Sequence, residues 1–314
     1  MRAALLSVAL LAAPPALADP AACAKLEMVG GDVTFGVGDV GQPFAIASVG
    51  KTMTAVAVLR LYDEGRIDDL DQPLAAYLDP RMMQRFEDGG AVTIWHALTM
   101  TSGLPDYYTD AFLDAVLANL DDPLGAQDAV EFAYGEPSVF GPGEDYDYSN
   151  TNYVLLGMLI EDVSGLSYAA AMDRYVFGPA GMRDAFVFGS KPLPAAFPKG
   201  HEGGEHHRDY YESNGLGDGG VIASAADVAA FYDALLVDQS LLDPQTFEDV
   251  MSADEVTAYG YGPGIEFEDG VFGHSGGDLG FASDARYSVD EGWIRIVVAA
   301  DAEADTRWEG ACDG

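Results

Sequence analysis

Basic residues are scarce in this 314-residue chain: 15 Lys and Arg stand against 52 Asp and Glu, a formal charge of −37. A nucleic-acid partner needs a basic face, so that class is excluded. The acidity reads instead as a solvated surface suited to a salty medium, where the Debye length shrinks to a few ångströms. Long apolar runs are also missing. LLSVALLAA (5–13) is too short to span a bilayer, and no later stretch is long enough, so no membrane span is expected. With Arg2 before it and Ala16-Leu17-Ala18 after it, that run has the parts of a secretory signal ending at residue 18. A periplasmic or secreted mature protein follows, and a single Arg gives no twin-arginine signal. Cysteine is nearly absent. Cys23 and Cys312 exclude a disulfide-dense scaffold, and in an exported protein they pair as one bridge. A lipid anchor at Cys23 is the rival use, disfavoured because Pro20-Ala21-Ala22 lacks the usual leucine and Asp19 intervenes.

Histidine is scarce as well, occurring only at 96, 201, 206, 207 and 274. HEGGEHH (201–207) matches no zinc spacing, so neither a metal nor a cofactor is expected, and His96 sits in an apolar helical stretch. The same scarcity decides how to read GHSGG (273–277). The string fits the G-x-S-x-G elbow of α/β-hydrolases and comes close to G-D-S-G-G of trypsin-like proteases. An α/β-hydrolase needs a histidine after the serine, and none follows Ser275. A trypsin-like fold is nearly all strand, and this chain is rich in helical patterns. GHSGG therefore reads as a strand whose backbone approaches something closely.

The patterns at hand place strands at both ends and helices between them. LEMVGGDVTFGVGD (26–39) is a hairpin around Gly30-Gly31. SVGKTMTAVAVLRLYDEG (48–65) is a buried helix ended by Gly65. Helical stretches follow at 93–100, 110–120, 152–165, 167–177 and 225–237. VFGHSGG, FASDARYSV and GWIRIVVAA are strands. The expected architecture is mixed α/β (α+β): an antiparallel sheet built from both termini, flanking helices, and a mostly helical insertion at about 66–210. It forms one domain over 19–314.

Ser48 and Lys51 stand at i and i+3 at the start of the buried helix, one turn apart on one face. A lysine amine held there in neutral form can take the serine's proton, which remedies the weakness of serine as a nucleophile. The helix N-terminus favours the negative charge that develops. Alone, S-x-x-K also fits a capping serine beside a solvated lysine.

FAIASVGKTMTAVAVLRLYDEG resembles the region of the catalytic serine in class C β-lactamases, D-alanyl-D-alanine carboxypeptidases and their related esterases and D-amidases. Further matches occur in that family's order. VTIWHALTMTSGLPDYY (92–108) is similar to its T-I-x-x-L-L-x-H-T-S-G-L-P segment. Tyr148-Ser149-Asn150 matches Y-x-N, PAGMRDA (179–185) matches P-L-G-M-x-D-T, and GGVIASAADVAAF (219–231) matches G-G-x-x-S-T-x-x-D-L-x-x-F. His274-Ser275-Gly276 stands at the K-T-G or H-x-G place. The resemblance implies a β-lactamase/transpeptidase-like fold. It implies that Ser48 is the nucleophile, Lys51 its base and Tyr148 a second proton carrier. Asn150 would hold Lys51 and the substrate, and His274, Ser275 and Gly276 would flank the substrate. The backbone N–H groups of Ser48 and Gly277 would form the oxyanion hole, with the glycines of GHSGG permitting that approach.

Two departures bear on what the resemblance implies. Met100 replaces the histidine of H-T-S-G-L-P, which is not a proton carrier. His274 replaces lysine and removes a fixed positive charge from the substrate's flank. The chain is also short at both ends, where the family usually has a helix before the hairpin and another after the last strand. One sheet face is thus expected to be thinly covered. The function implied is an exported serine hydrolase acting through an acyl-enzyme on an amide, peptide or ester, with a small molecule or peptide as partner. The alternative is a catalytically silent cell-wall or ligand-binding protein of the same fold.

Overall fold

The computed structural model describes residues 22–251 and 259–312; the signal-like segment 1–18 lies outside them. Gly30 and Gly31 take φ of 59° and 83°, left-handed values that close a two-residue hairpin turn. The turn joins strand β1 (Cys23–Val29) to β2 (Asp32–Val37). The remaining strands of this sheet come from the C-terminal third: β3 (Tyr261–Gly262), β4 (Ile265–Glu268), β5 (Val271–Asp278), β6 (Phe281–Ser288) and β7 (Trp293–Ala299). The seven strands run in the order β2-β1-β7-β6-β5-β4-β3, all antiparallel. The first strand is thus zipped to the last, Cys23 opposite Ala299 and Val29 opposite Trp293.

Alternation along β1 and β7 sets the two faces. Ala24, Leu26, Ile294, Ile296 and Val298 are buried, on the side where helix α3 (Ala225–Tyr232) packs. The other face carries Lys25, Glu27, Phe35 and Arg295, and the C-terminal segment folds back onto it. Trp308 meets Phe35 edge-on with ring centroids 5.8 Å apart. Lys25 Nζ donates to the Trp308 carbonyl at 3.2 Å, and Arg295 lies over the indole at 5.1 Å. Cys23 and Cys312 are joined by a disulfide with their Cα atoms 5.5 Å apart. A short pinned tail thus covers part of this face. The cover is incomplete: Phe35 remains 45% exposed.

Behind the sheet two long helices form the heart of the core. Helix α1 (Gly50–Asp63) is buried over most of its length, and Gly65 with φ of 66° ends it in the left-handed cap that glycine adopts without penalty. Helix α2 (Asn150–Ser164) packs against α1 and ends the same way at Gly165, φ 69°. The helical stretches expected at 167–177 and 225–237 exist but change pitch, each widening into a π turn at Asp173–Phe177 and Asp233–Val237. Three strands of two or three residues form a second sheet in the order Phe44–Ala45, Val221–Ala223, Phe186–Val187. HEGGEHH makes a ribbon of His201–Glu202 against Glu205–His206. None of these short strands stands out in the sequence, because two residues cannot show a period.

Candidate active site

The second sheet delivers the chain to Ser48. Ile46 N donates to the Val221 carbonyl at 3.1 Å, and the chain turns at Ala47, whose φ of 46° is left-handed for a residue with a Cβ. Such a conformation persists only where the surroundings enforce it. Two glycines do so here. A Cβ on Gly219 would lie 3.0 Å from the Ala47 carbonyl carbon. One on Gly276 would lie 2.7 Å from the Ile46 carbonyl oxygen and 3.0 Å from Ser48 N. From the same side, Ser283 Oγ donates to the Ile46 carbonyl at 2.7 Å. The close approach anticipated for GHSGG is therefore made by Gly276 against residues 46–48. Gly273 is crowded too, by the Ala285 carbonyl at 2.1 Å from a built Cβ. Gly277 differs: nothing stands within 4 Å of a Cβ there, so packing does not demand a glycine at that position.

Ser48 is partly exposed in a 3-10 turn (Ala47–Val49) at the N-terminus of α1, and Lys51 one turn on is fully buried. Lys51 Nζ donates to Ser48 Oγ at 3.1 Å, to Asn150 Oδ1 at 2.7 Å and to the Asp218 carbonyl. It also lies 5.1 Å from the centre of the Tyr148 ring. Three directional hydrogen-bond partners thus hold the Lys51 nitrogen beside the serine oxygen. Asn150, the first residue of α2, is itself fixed: Nδ2 donates to Asp106 Oδ2 at 2.9 Å and its backbone N–H to Asp106 Oδ1 at 3.2 Å. Asp218 is fixed in turn by Tyr107, whose hydroxyl donates to Oδ2 at 2.8 Å. Burial pushes the carboxyls of Asp106 and Asp218 up from the usual aspartate range, and the Lys51 charge opposes this for both.

A cavity of about 190 Å³ opens over Ser48. Tyr148, Asn150, Asp218, Gly277 and Asp278 line it together with the serine, as do aromatic rings including Phe112 and Tyr210. Of the residues singled out in the sequence, Ser48, Tyr148, Asn150 and Gly277 reach this cavity, and Lys51 lies behind the serine. His274, Ser275 and Gly276 are not among its lining residues. His274 is 1% exposed and points behind β5. Its Nδ1–H donates to the Ser275 carbonyl at 2.6 Å, and Nε2 accepts from the Tyr261 hydroxyl at 3.0 Å. Burial holds its pKa down to about 4, with Glu266 opposing and Lys51 and Arg286 reinforcing the shift. Ser275 Oγ donates to Glu266 Oε1 at 3.2 Å, and Arg286 joins Glu266 at 2.7 Å and Asp284 at 2.8 Å. Asp106, Asp218, Tyr261 and Asp278 are the residues the sequence reading missed. Asp106 follows directly on S-G-L-P, and Asp278 on GHSGG; their neighbours' motifs were the available signal.

Helix-borne serine and lysine, a Y-x-N loop and an antiparallel strand beside the serine define a class: serine hydrolases of the β-lactamase and penicillin-binding type. Residues 34–308 match the family described as Beta-lactamase, and the chain belongs to it. A D-aminopeptidase of Brucella canis is 32% identical over 272 residues, 81% of this chain and 49% of that protein. A penicillin-binding protein of Bacillus subtilis (strain 168) is 31% identical over 295 residues, 85% of this chain and 62% of that protein. The chain therefore spans about half to three fifths of the length of these curated relatives. Among solved structures, a D-stereospecific amidohydrolase from Streptomyces sp. superimposes with a TM-score of 0.76 at 27% identity, covering 90% of this chain and 91% of that one. A penicillin-binding protein from Bacillus halodurans gives 0.75 at 26% identity with the same coverage.

Proposed function

We propose that the protein is an exported hydrolase that cleaves amide, peptide or ester bonds of small substrates through an acyl-enzyme on Ser48. The observation that carries this reading is Lys51 Nζ, held 3.1 Å from Ser48 Oγ by Asn150 and the Asp218 carbonyl. With Lys51 as the neutral amine, Ser48 Oγ attacks the substrate carbonyl carbon while its proton passes to the Lys51 Nζ lone pair, Tyr148 serving as the second proton carrier. The carbonyl oxygen takes up the negative charge between the N–H groups of Ser48 and Gly277, a stabilisation typically worth several kcal/mol. Collapse of this intermediate expels the amine or alcohol, which takes the proton. Water then attacks the acyl-enzyme, one proton returns to Ser48 and the carboxylic acid leaves. The network asks nothing of a metal or cofactor.

D-peptide and D-amide bonds suit this reading, in line with the D-aminopeptidase and D-stereospecific amidohydrolase among the similar proteins. Export rests on the signal-like residues 1–18 and on the Cys23–Cys312 bridge, which oxidising compartments favour. The test is whole-protein mass spectrometry after exposure to a fluorophosphonate, a penicillin and a p-nitrophenyl ester, with Ser48→Ala in parallel. Stoichiometric fluorophosphonate labelling of the wild type alone is expected. Labelling that survives Ser48→Ala overturns the assignment.

A further inference from the structure

The charges around the serine are arranged for a substrate of one sign. Asp218 and Asp278 line the cavity, and among its lining residues there is no Lys, Arg or His. The flank where a cation would receive a substrate carboxylate is closed to that use. His274 is buried and commits both ring nitrogens to Ser275 and Tyr261, and the Ser275 hydroxyl faces Glu266. An anionic acyl group finds no partner on either side.

Asp278 is the better placed of the two acids. It follows Gly277 on β5, the residue whose N–H the reading above assigns to the oxyanion hole. Its Oδ1 accepts from Tyr108 at 2.6 Å and from Leu279 N at 2.8 Å. These donors fix its orientation without cancelling its charge. Burial pushes its carboxyl up, and the neighbouring charge of Asp218 adds to the shift. A cation at this point opposes both effects. An α-ammonium lies about 2.5 Å from its own carbonyl carbon, so a substrate acylating Ser48 carries that ammonium inside the cavity that Asp278 also lines. Phe112 and Tyr210 in the same lining suit an apolar side chain.

We propose that Asp278, oriented by Tyr108, receives the free ammonium of the substrate's acyl half and so sets specificity for amides, peptides or esters of amino acids with apolar side chains. This rests on the hydrolase reading above and narrows it to amine-bearing substrates, against carboxylate-bearing ones. Asp218, whose carbonyl serves Lys51 and whose carboxylate serves Tyr107, adds field but not the contact.

The experiment compares kcat/KM for phenylalanine p-nitroanilide, in both enantiomers, with that for its deamino analogue, 3-phenylpropanoyl p-nitroanilide. Wild type and Asp278→Asn are run side by side. Asn keeps an oxygen acceptor for Tyr108 and Leu279, so folding is expected to survive, and circular dichroism checks it. In the wild type the amine-bearing substrate of one enantiomer should be favoured by about 10- to 100-fold, the range of one charge-assisted hydrogen bond. Asp278→Asn should erase most of that ratio, while Asp278→Glu should retain part of it. A wild-type ratio near one, or a ratio unchanged in Asp278→Asn, overturns the proposal. Fluorophosphonate labelling of Ser48 in the same samples separates the two failures: labelling without amine preference defeats only this inference, and absent labelling defeats the hydrolase reading itself.

Discussion

The two flanks of Ser48 are built on opposite plans. On the helical flank, the polar groups of Lys51, Asn150, Asp106 and Asp218 interlock and converge on the serine oxygen. On the strand flank, His274, Ser275, Glu266 and Arg286 also interlock, but they bind one another and lie outside the cavity lining. The strand offers the cavity only the backbone of Gly277 and the carboxylate of Asp278. The contrast separates proton handling, done by side chains of α1, α2 and the loops beside them, from charge stabilisation and substrate selection, done beside a strand. It also shows why replacing the K-T-G lysine by histidine is more than a change of residue. The imidazole is buried with its pKa held down, and Arg286 is committed to Glu266 and Asp284, so the flank presents no cation to the cavity.

The comparison is broken most severely at Lys51. Lys51→Met should lower kcat by roughly 10³-fold or more and slow fluorophosphonate labelling in parallel, since it removes the group that receives the serine proton. Asn150→Ala should cost roughly 10- to 100-fold in kcat, the range of a hydrogen bond to a charged group, with KM changing less. Away from both flanks, replacing Cys23 and Cys312 together by Ser should lower unfolding free energy by about 2–5 kcal/mol with kcat intact, as read by thermal unfolding beside a rate assay.

His274 sharpens the contrast through pH. Its folded pKa of about 4 lies below the ordinary histidine value of 6.5. Between these values the unfolded chain binds a proton that the folded protein refuses, so stability falls as pH drops through that window and is intact above it. The loss at the acid end is on the order of 3 kcal/mol, reduced by the opposing charge of Glu266. Chemical denaturation at pH 7 and pH 4.5 should show a smaller difference in His274→Gln than in the wild type. Smallest of all, Ser275→Ala should keep kcat within about threefold, because its hydroxyl serves Glu266 rather than the cavity.

What could be read from the sequence was what is local in it. Ser48 and Lys51 meet because they stand three positions apart, one helical turn, and the hairpin shows because Gly30-Gly31 imposes its own turn. The strands of the C-terminal third show through β-branched residues and alternation. Contacts closed over long separations left no such trace, apart from the lone cysteine pair and the contacts that the family's motifs mark. Lys51 to Asp218 spans 167 residues and Tyr108 to Asp278 spans 170, and neither pair is marked by spacing. The glycines of GHSGG were legible as a close approach, but not which of them is crowded: Gly276 is, while Gly277 has room. The direction of His274 was hidden for a simpler reason. Strand alternation says that neighbours face opposite ways, and only the packed helices decide which way is inward.

The bridge between Cys23 and Cys312 has a mechanical meaning. It joins the first strand of the sheet to the segment just beyond the last, across a sequence separation of 289. A pull applied at the two ends of the oxidised protein is borne by covalent bonds and never reaches the hydrogen bonds of the sheet. Once the bridge is reduced, the same pull falls first on the Trp308 tail and then on the ladder between β1 and β7. A single-molecule stretch should therefore show almost no gain in length while the sulfurs are joined, and the release of the whole fold after they part.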